Sequence, residues 1–287
     1  MVAIERKFVV NGYQLAAKEW HAGAPLKVIA CHGWLDNAAS FDYLAPLLEQ
    51  CHIIALDMPG HGLSDHKSPQ ASYNIWDDLL DILAVADSMG WEQFNLLGHS
   101  RGAIMSLLLT VAMPKRITSL LMLDAALPQP VKVEDTAAQL GRYLREQRRA
   151  AAKKLPSYNS IDEAVAARAK AAMMTEHTAR PIVERGLRYI DGEYHWTTDP
   201  RLTTASVFKM TADHNQAIMD ALNTPCLLLM AAQGLGQSED FVNLAASFTG
   251  LKTLSLEGGH HFHMEEHAAK IAGLAEAFFH AHQHSSS

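Results

Sequence analysis

The sequence predicts an α/β fold: a mostly parallel sheet, covered by helices on both faces, that carries a helical insertion. Short apolar segments of strand length alternate with helix-length segments between residues 27 and 124, and this alternation is typical of parallel sheets. Residues 127–204 lack β-branched apolar runs and are rich in helix-forming residues. The strand pattern returns at residues 225–230 and 252–256. We therefore expect a first core part at residues 1–126, a helical cap insertion at residues 127–208 and a second core part at residues 209–287.

Composition indicates a globular protein whose partners are small molecules. The 287 residues are 48% hydrophobic and 19% charged, and the net charge of −7 gives no electrostatic reason to expect a nucleic acid partner. Cys31, Cys51 and Cys226 lie in apolar segments without metal-like spacing, so we expect buried free thiols in a reducing compartment. The amino terminus lacks the apolar core of a signal peptide, and no segment is long enough to span a membrane. We expect a cytoplasmic protein; the sequence does not indicate its oligomeric state.

The chain begins with a predicted hairpin, followed by two buried strands. Asn11-Gly12 separates two strand-like segments, which is a strong hairpin signal. The strand at residues 27–31 leads into a loop in which Asp36 or Ser40 is expected to cap the next helix. The strand at residues 52–57 leads into a Gly-Pro loop, in which we expect Asp57 and Asp65 to bond backbone amides.

Residues 75–89 predict an amphipathic helix. Apolar residues recur there at helical spacing, and three acidic residues occupy the remaining arc of the helix. We expect these acidic side chains to face solvent: Asp77, Asp78 and Asp81.

Residues 94–102, FNLLGHSRG, form the stretch around which the other elements are arranged. An apolar strand-like run breaks into the pattern G-x-S-x-G, and an apolar stretch of helix length follows at residues 103–112. Strand, sharp turn and helix are the context that this pattern requires. Gly98 and Gly102 suit so tight a turn because they have no side chain to clash. The pattern predicts that Ser100 presents its hydroxyl at the carboxyl end of a strand; the alternative is a small-residue turn between buried elements.

Several chemically active side chains follow predicted strands. Functional residues of such sheets gather at the carboxyl ends of the strands, and His32, Ser100 and Asp124 occupy that edge. The last predicted strand leads into EGGHHFHMEEH, and a helix at residues 266–279 closes the fold. The insertion carries a basic cluster that we interpret as a solvated helix face rather than an anion site: Arg142, Arg145, Arg148, Arg149, Lys153 and Lys154.

Four motifs resemble those of the α/β-hydrolase superfamily. HGW, DMPGHGLSD, GHSRG and GGHHFHME stand in family order and at family spacing. Within the superfamily, the stretch HGWLDNAASFDYLAPLL is similar to the serine-hydrolase-like proteins. The resemblance covers nearly the whole chain, and it implies an α/β-hydrolase fold with an inserted cap.

The resemblance also implies catalytic roles for individual residues. Ser100 matches the nucleophile, and His260 matches the base because it directly follows the last glycine of its motif. The backbone N–H groups of Trp34 and Arg101 are implied as the oxyanion hole. Supporting positions are implied at His32, Gly33, Gly98, His99 and Gly102.

The acid of the implied triad departs from the usual family pattern. Its usual position falls near Gly234, in AAQGLGQ, where there is no carboxylate. Asp124 ends the strand that follows GHSRG and preserves the chain order Ser, Asp, His, so it is the predicted acid. Asp240 is the alternative, although it suits the first turn of a helix, where acids interact favourably with the helix dipole.

These residues predict a serine hydrolase with esterase activity on a small acyl compound, acting through an acyl-enzyme without a cofactor. Two other functions stay open. One is carbon-carbon bond hydrolysis or acyl transfer on the same triad; the other is ligand binding on a hydrolase scaffold with little turnover. No metal site is predicted at the clustered histidines, because no cysteine or well-spaced carboxylate accompanies them in the sequence: His260, His261, His263 and His267.

Overall fold

Two sheets organise the chain in the structure, a computed structural model that describes residues 2–150, 152–235, 250–265 and 267–283. The described residues form these strands: β1 (Ile4–Val10), β2 (Tyr13–Trp20), β3 (Leu26–Cys31), β4 (Cys51–Leu56), β5 (Phe94–His99), β6 (Ile117–Leu123), β7 (Ser157–Tyr158), β8 (Leu187–Ile190), β9 (Glu193–Trp196), β10 (Cys226–Gln233) and β11 (Leu251–Gly259).

The main sheet has eight strands in the order β1-β2-β4-β3-β5-β6-β10-β11. β1, β2 and β4 pair antiparallel, and every neighbouring pair from β4 onward is parallel. The turn between β1 and β2 places Asn11 and Gly12 at positive φ, 50° and 87°, as the favoured two-residue hairpin turn requires. The predicted fold class, a mostly parallel sheet with an antiparallel beginning, is confirmed.

Helices cover both faces of the main sheet. Ile82 and Met105 belong to the hydrophobic core on one face, whereas Phe41, Ile271 and Phe279 belong to the core on the other. No helix in the described ranges is long and apolar enough to cross a bilayer. The helices are α1 (Ile75–Ser88), α2 (Arg101–Ala112), α3 (Thr136–Ala150), α4 (Ile161–Ala172), α5 (Glu176–Gly186), α6 (Ala212–Asp220) and α7 (Ala268–His282).

The segment between β6 and β10 is helical in the main but contains a second sheet. α3, α4 and α5 lie there together with a three-stranded antiparallel sheet in the order β7-β9-β8. Asp191 and Gly192 join β8 to β9 with φ values of 51° and 93°. Asp-Gly strongly favours such a hairpin turn, and here it outweighs the helical composition around it. The limits of the cap, residues 127–208, stay a prediction.

The acidic side chains of α1 were predicted to face solvent, but two of the three are buried. Asp78 is 2% exposed and Asp81 is 1% exposed, whereas the Asp77 side chain is 51% exposed. Asp81 Oδ1 accepts hydrogen bonds from Tyr13 Oη at 2.5 Å and from Asn11 Nδ2 at 2.7 Å. The prediction was wrong for Asp78 and Asp81 because the polar face of α1 packs against neighbouring elements, where each carboxylate finds donors.

The predicted helix after HGW is also different in the structure. Two short 3-10 helices, Ala38–Phe41 and Ala45–Leu47, replace it. Asn37 caps the first, because its side-chain oxygen accepts the Ala39 N–H at 3.1 Å. Asp36 and Ser40 were the expected caps; Asp36 contacts His261 and Arg168 instead, and Ser40 lies within the first 3-10 helix.

Candidate active site

The carboxyl ends of five strands bring the candidate residues to one edge of the sheet. The first residue after each strand is polar or is a glycine, and parallel pairing aligns these ends in space. His32 follows β3, Ser100 follows β5, Asp124 follows β6, Gly234 follows β10 and His260 follows β11.

Ser100 occupies a strained turn between β5 and α2. Its backbone has φ 53° and ψ −120°, a conformation that non-glycine residues rarely adopt. The turn is so tight that a Cβ on Gly98 would lie 2.5 Å from Ala103 Cα, and a Cβ on Gly102 would lie 2.0 Å from the Cys31 carbonyl oxygen. Both glycines are therefore required by close packing, which is the physical reason for the G-x-S-x-G pattern.

Asp124 and His260 are joined by a short hydrogen bond. Asp124 Oδ2 lies 2.6 Å from His260 Nδ1, and the Asp124 side chain is buried while that of His260 is 15% exposed. Because an ionised carboxylate only accepts hydrogen bonds, the His260 proton lies on Nδ1 and Nε2 carries the lone pair. Asp240 lies outside the described residues.

The end of β10 and the loop that follows it hold the Asp124 carboxylate. The Ala231 N–H donates to Oδ1 and the Leu235 N–H donates to Oδ2, each at 2.9 Å. A Cβ on Gly234 would lie only 2.1 Å from Asp124 Oδ2. The position at which the family pattern usually has the acid is therefore a glycine against which the Asp124 carboxylate packs.

The HGW loop lies beside Ser100, and His32 fixes its direction. A Cβ on Gly33 would lie 3.2 Å from Ser100 Cβ. His32 Nε2 accepts the Met58 N–H at 3.0 Å, so its proton lies on Nδ1, which donates to the Gly33 carbonyl at 2.7 Å. In a trans peptide the following N–H points the opposite way, so this bond orients the Trp34 N–H. Burial lowers the pKa of His32, which keeps it neutral.

Arg101, the second predicted oxyanion residue, begins α2. The first N–H groups of a helix have no acceptor within the helix, so the Arg101 N–H is available to a ligand. Its guanidinium donates to Asp78 Oδ2 at 2.5 Å and points away from the turn toward α1. Asp78 is thus part of the support of the site; nothing in its helical spacing distinguished it from Asp77.

A buried cluster of polar side chains lies behind His260. The sequence placed His99 beside the site and grouped His261 and His263 with His260, but it did not relate Asp36 or Arg168 to them. The His99 ring centroid lies 4.7 Å from that of His260, 4.9 Å from that of His261 and 4.2 Å from that of His263. Burial lowers the pKa of His99 to about 4 and holds the pKa of His263 well below its usual value. Burial alone would raise the pKa of Asp36, but His261 and Arg168 hold it well below its usual value.

The cysteines offer no competing nucleophile. Cys31, Cys51 and Cys226 are free and buried, as predicted. Burial raises the pKa of each thiol to about 12, and the reactive species of cysteine is the thiolate. Ser100 therefore remains the candidate nucleophile at this edge of the sheet.

A cavity of about 400 Å³ adjoins the turn and extends beneath the insertion. Trp34 and Arg101 are among the residues that line it, and the Trp34 indole N–H donates to the Leu202 carbonyl at 2.9 Å. Trp34, Trp76 and Phe208 are among the large side chains that remain exposed. Of the predicted basic cluster, Arg142 lines the cavity, and it is paired with Glu146 at 2.7 Å.

Comparison with known proteins gives relatives along most of the chain. Residues 28–162 match the family model of the α/β-hydrolase fold. A serine hydrolase-like protein of Dictyostelium discoideum is 29% identical over 94% of this chain and 79% of its own length. A serine hydrolase-like protein of Danio rerio is 26% identical over 91% of this chain and 84% of its own length.

Solved structures match the fold along nearly the whole chain. The crystal structure of a hypothetical protein from Pseudomonas aeruginosa PAO1 is 38% identical, with a TM-score of 0.93 over 96% of this chain and 99% of that one. The thioesterase domain from the curacin biosynthetic pathway has a TM-score of 0.83 at 23% identity, over 96% of this chain and 99% of that domain, and shows the shared fold.

The contact between Gly234 and Asp124 gives a structural prediction. We expect Gly234→Ala to displace the Asp124 carboxylate and to cost about 1–3 kcal/mol of unfolding free energy, because its Cβ overlaps Oδ2. The readouts are urea denaturation and the low-field proton resonance of His260 Nδ1. Gly273→Ala in α7 is the matched control, because nothing lies within 4 Å of its added Cβ. An unchanged His260 Nδ1 proton resonance in Gly234→Ala would contradict the close packing of Gly234 against Asp124.

Proposed function

The chain belongs to the α/β-hydrolase superfamily, and on that premise we propose that it is a serine hydrolase that cleaves an ester or related acyl small molecule. The family and the relatives support a hydrolase; the substrate class and the residue roles are our proposal. One observation carries it: the hydrogen bond of 2.6 Å between His260 and Asp124 lies at the same sheet edge as the strained turn of Ser100.

The proposed mechanism begins with proton transfer from the serine. A serine hydroxyl is a poor nucleophile at neutral pH, so a base must take its proton as the oxygen attacks the acyl carbon. His260 Nε2 accepts this proton while Nδ1–H stays bonded to Asp124, which stabilises the imidazolium. The imidazolium then protonates the leaving group, and an acyl-Ser100 ester forms. Water attacks this ester with His260 again as base, which releases the acid and restores Ser100.

The tetrahedral intermediates need donors for a negatively charged oxygen. We assign this role to the N–H groups of Trp34 and Arg101, which approach Ser100 from the β3 loop and from the start of α2. Each donor of this kind contributes about 3 kcal/mol to transition-state stabilisation. The proposed reaction requires no cofactor.

The cavity supports an acyl compound that is partly apolar. Rings of Trp34, Trp76 and Phe208 offer apolar surface, and about 400 Å³ is room for a small molecule rather than a polymer. Screening acyl esters of graded chain length identifies the preferred acyl group. We also propose a cytoplasmic location, in keeping with three unpaired cysteines.

The two alternatives are less well supported. Carbon-carbon bond hydrolysis and acyl transfer would use the same residues, and product analysis with a thiol or alcohol acceptor separates them from ester hydrolysis. Ligand binding without turnover rested on the missing acid near Gly234. An acid within hydrogen-bond distance of His260 weakens that argument, because Asp124 approaches the imidazole from a different strand.

Ser100→Ala tests the proposal directly. We expect esterase turnover to fall on the order of a million-fold, because the nucleophile is lost. Stability should be nearly unchanged, since one half-buried hydroxyl and no core volume is removed. Hydrolysis of a nitrophenyl ester and the thermal unfolding midpoint are the measurements. Near-wild-type turnover in a folded variant would refute the assignment.

The base is tested against another histidine of the same cluster. We expect His260→Ala to lower turnover by several orders of magnitude, because no other group takes the serine proton. His263→Leu is the control: neither ring nitrogen of this buried histidine has a hydrogen-bond partner, so an apolar replacement removes no hydrogen bond. The kcat values of the two variants, measured by steady-state kinetics, should differ by at least about a hundredfold. Equal losses would contradict His260 as the base.

The acid is tested at Asp124 and at Asp240. We expect Asp124→Asn to lower turnover by up to about ten-thousandfold, because the amide favours the wrong imidazole tautomer. Asp240→Asn should cost at most about 1 kcal/mol of stability and little turnover, as a first-turn helix acid would. The measurement is kcat for both variants on one ester. A large loss at Asp240 with none at Asp124 would reverse the assignment.

A further inference from the structure

Behind the proposed catalytic residues lie three buried side chains whose potential metal-ligand atoms are close to one another. Asp36 Oδ2 lies 3.2 Å from His261 Nε2 and 3.6 Å from His99 Nδ1. All three atoms lie within 4.8 Å of one another, and the three residues are buried. None of the three is the nucleophile, the base or the acid of the proposed hydrolysis, which are Ser100, His260 and Asp124.

The hydrogen bonding of His99 leaves two acceptor atoms facing each other in this cluster, without a donor between them. His99 Nε2 lies 2.9 Å from the carbonyl oxygen of His260, and a carbonyl only accepts, so the ring proton is on Nε2. In the neutral ring, Nδ1 is then a lone pair that faces the Asp36 carboxylate. His99 Nδ1 has no hydrogen-bond partner. Two buried acceptors that face each other are unfavourable unless a cation lies between them.

We propose that Asp36, His99 and His261 form a binding site for a divalent transition-metal ion, Zn²⁺ being the preferred member of the class. Two imidazoles and one carboxylate are a zinc ligand set that leaves one position open, and imidazole donors favour these ions over Mg²⁺ and Ca²⁺. Donors at about 2.0–2.1 Å from a tetrahedral ion lie about 3.4 Å apart. The two separations from Asp36 Oδ2, 3.2 Å and 3.6 Å, bracket that value.

The surroundings of the cluster fit such a site. Metal-bound histidines usually donate the other ring N–H to a carbonyl or carboxylate, as His99 does to His260. The second carboxylate oxygen of Asp36 accepts a hydrogen bond from Arg168, which orients the ligand and leaves Oδ2 for the ion. The positive charge of Arg168 lowers the affinity for a cation, so we expect weaker binding than at a structural zinc site.

Space and access are also present. Gly33 has no side chain, and a Cβ there would lie 2.9 Å from Asp36 Oδ2 and 3.1 Å from His99 Nδ1. The absence of that atom leaves space beside Asp36 Oδ2 and His99 Nδ1 on the side of Ser100. Arg168, which is paired with Asp36, has a side chain that is 15% exposed and lines a cavity of about 160 Å³, so the cluster lies one residue away from an open cavity.

Titration of the chelator-treated full chain with Zn²⁺, and with Co²⁺ as a spectroscopic probe, tests this proposal. We expect one ion per chain and the visible absorption of Co²⁺ in a low-symmetry site. Asp36→Asn and His261→Gln should each weaken Co²⁺ binding by more than about a hundredfold. His261→Gln keeps the ion pair of Asp36 with Arg168, so it carries the test if Asp36→Asn does not fold.

A control variant excludes the histidines near the carboxyl terminus as the source of binding. Replacement of His280, His282 and His284 by Ala should leave the Co²⁺ spectrum unchanged. Loss of the spectrum in this control, retention of it in both ligand variants, or no binding of either ion would overturn the proposal. None of these readouts requires turnover, so failure of metal binding and failure of the proposed hydrolase are separate results.

Discussion

The hydrogen bond between Asp124 and His260 is the constraint on which the candidate site depends. It joins the ends of β6 and β11, which are separated in the sheet by β10. The bond forms because Gly234, the residue after β10, leaves room for the Asp124 carboxylate, and because the N–H groups of Ala231 in β10 and of Leu235 just after it hold that carboxylate. Asp124 itself has φ 54°, a strained conformation for a non-glycine residue. Strain at Ser100 and at Asp124 is thus compensated by the packing of neighbouring strands.

The insertion is fastened to the same edge of the sheet. Trp34 binds the Leu202 carbonyl, Asn37 Nδ2 binds the Ile182 carbonyl at 2.8 Å, and Asp36 binds Arg168. Further out, Arg185 bonds both carboxylate oxygens of the buried Asp57 at 3.0 Å. The loops that shape the candidate site therefore form hydrogen bonds with the insertion.

Local features of the site could be predicted from sequence, and long-range ones could not. The turn of Ser100 depends on residues two positions away, so G-x-S-x-G was sufficient to predict it. The hydrogen bond between Asp124 and His260 could be expected because both residues directly follow strands of the parallel sheet, and the carboxyl ends of these strands lie at one edge. Asp36 and His261 are 225 residues apart, and no spacing in the chain relates them. The same limit applies to Asp78, whose burial depends on the packing of α1 and not on its helical period.

The most direct measurement of the central proposal is covalent labelling of the native protein with a fluorophosphonate, followed by peptide mass spectrometry. The reagent reacts with a serine whose proton is taken by a neighbouring base and whose oxyanion is stabilised. Our account predicts one adduct per chain, on the peptide that contains Ser100, and no adduct when the protein is unfolded before labelling. The account would be contradicted if the protein hydrolysed esters but carried the adduct on a residue other than Ser100, or if it hydrolysed esters and formed no adduct.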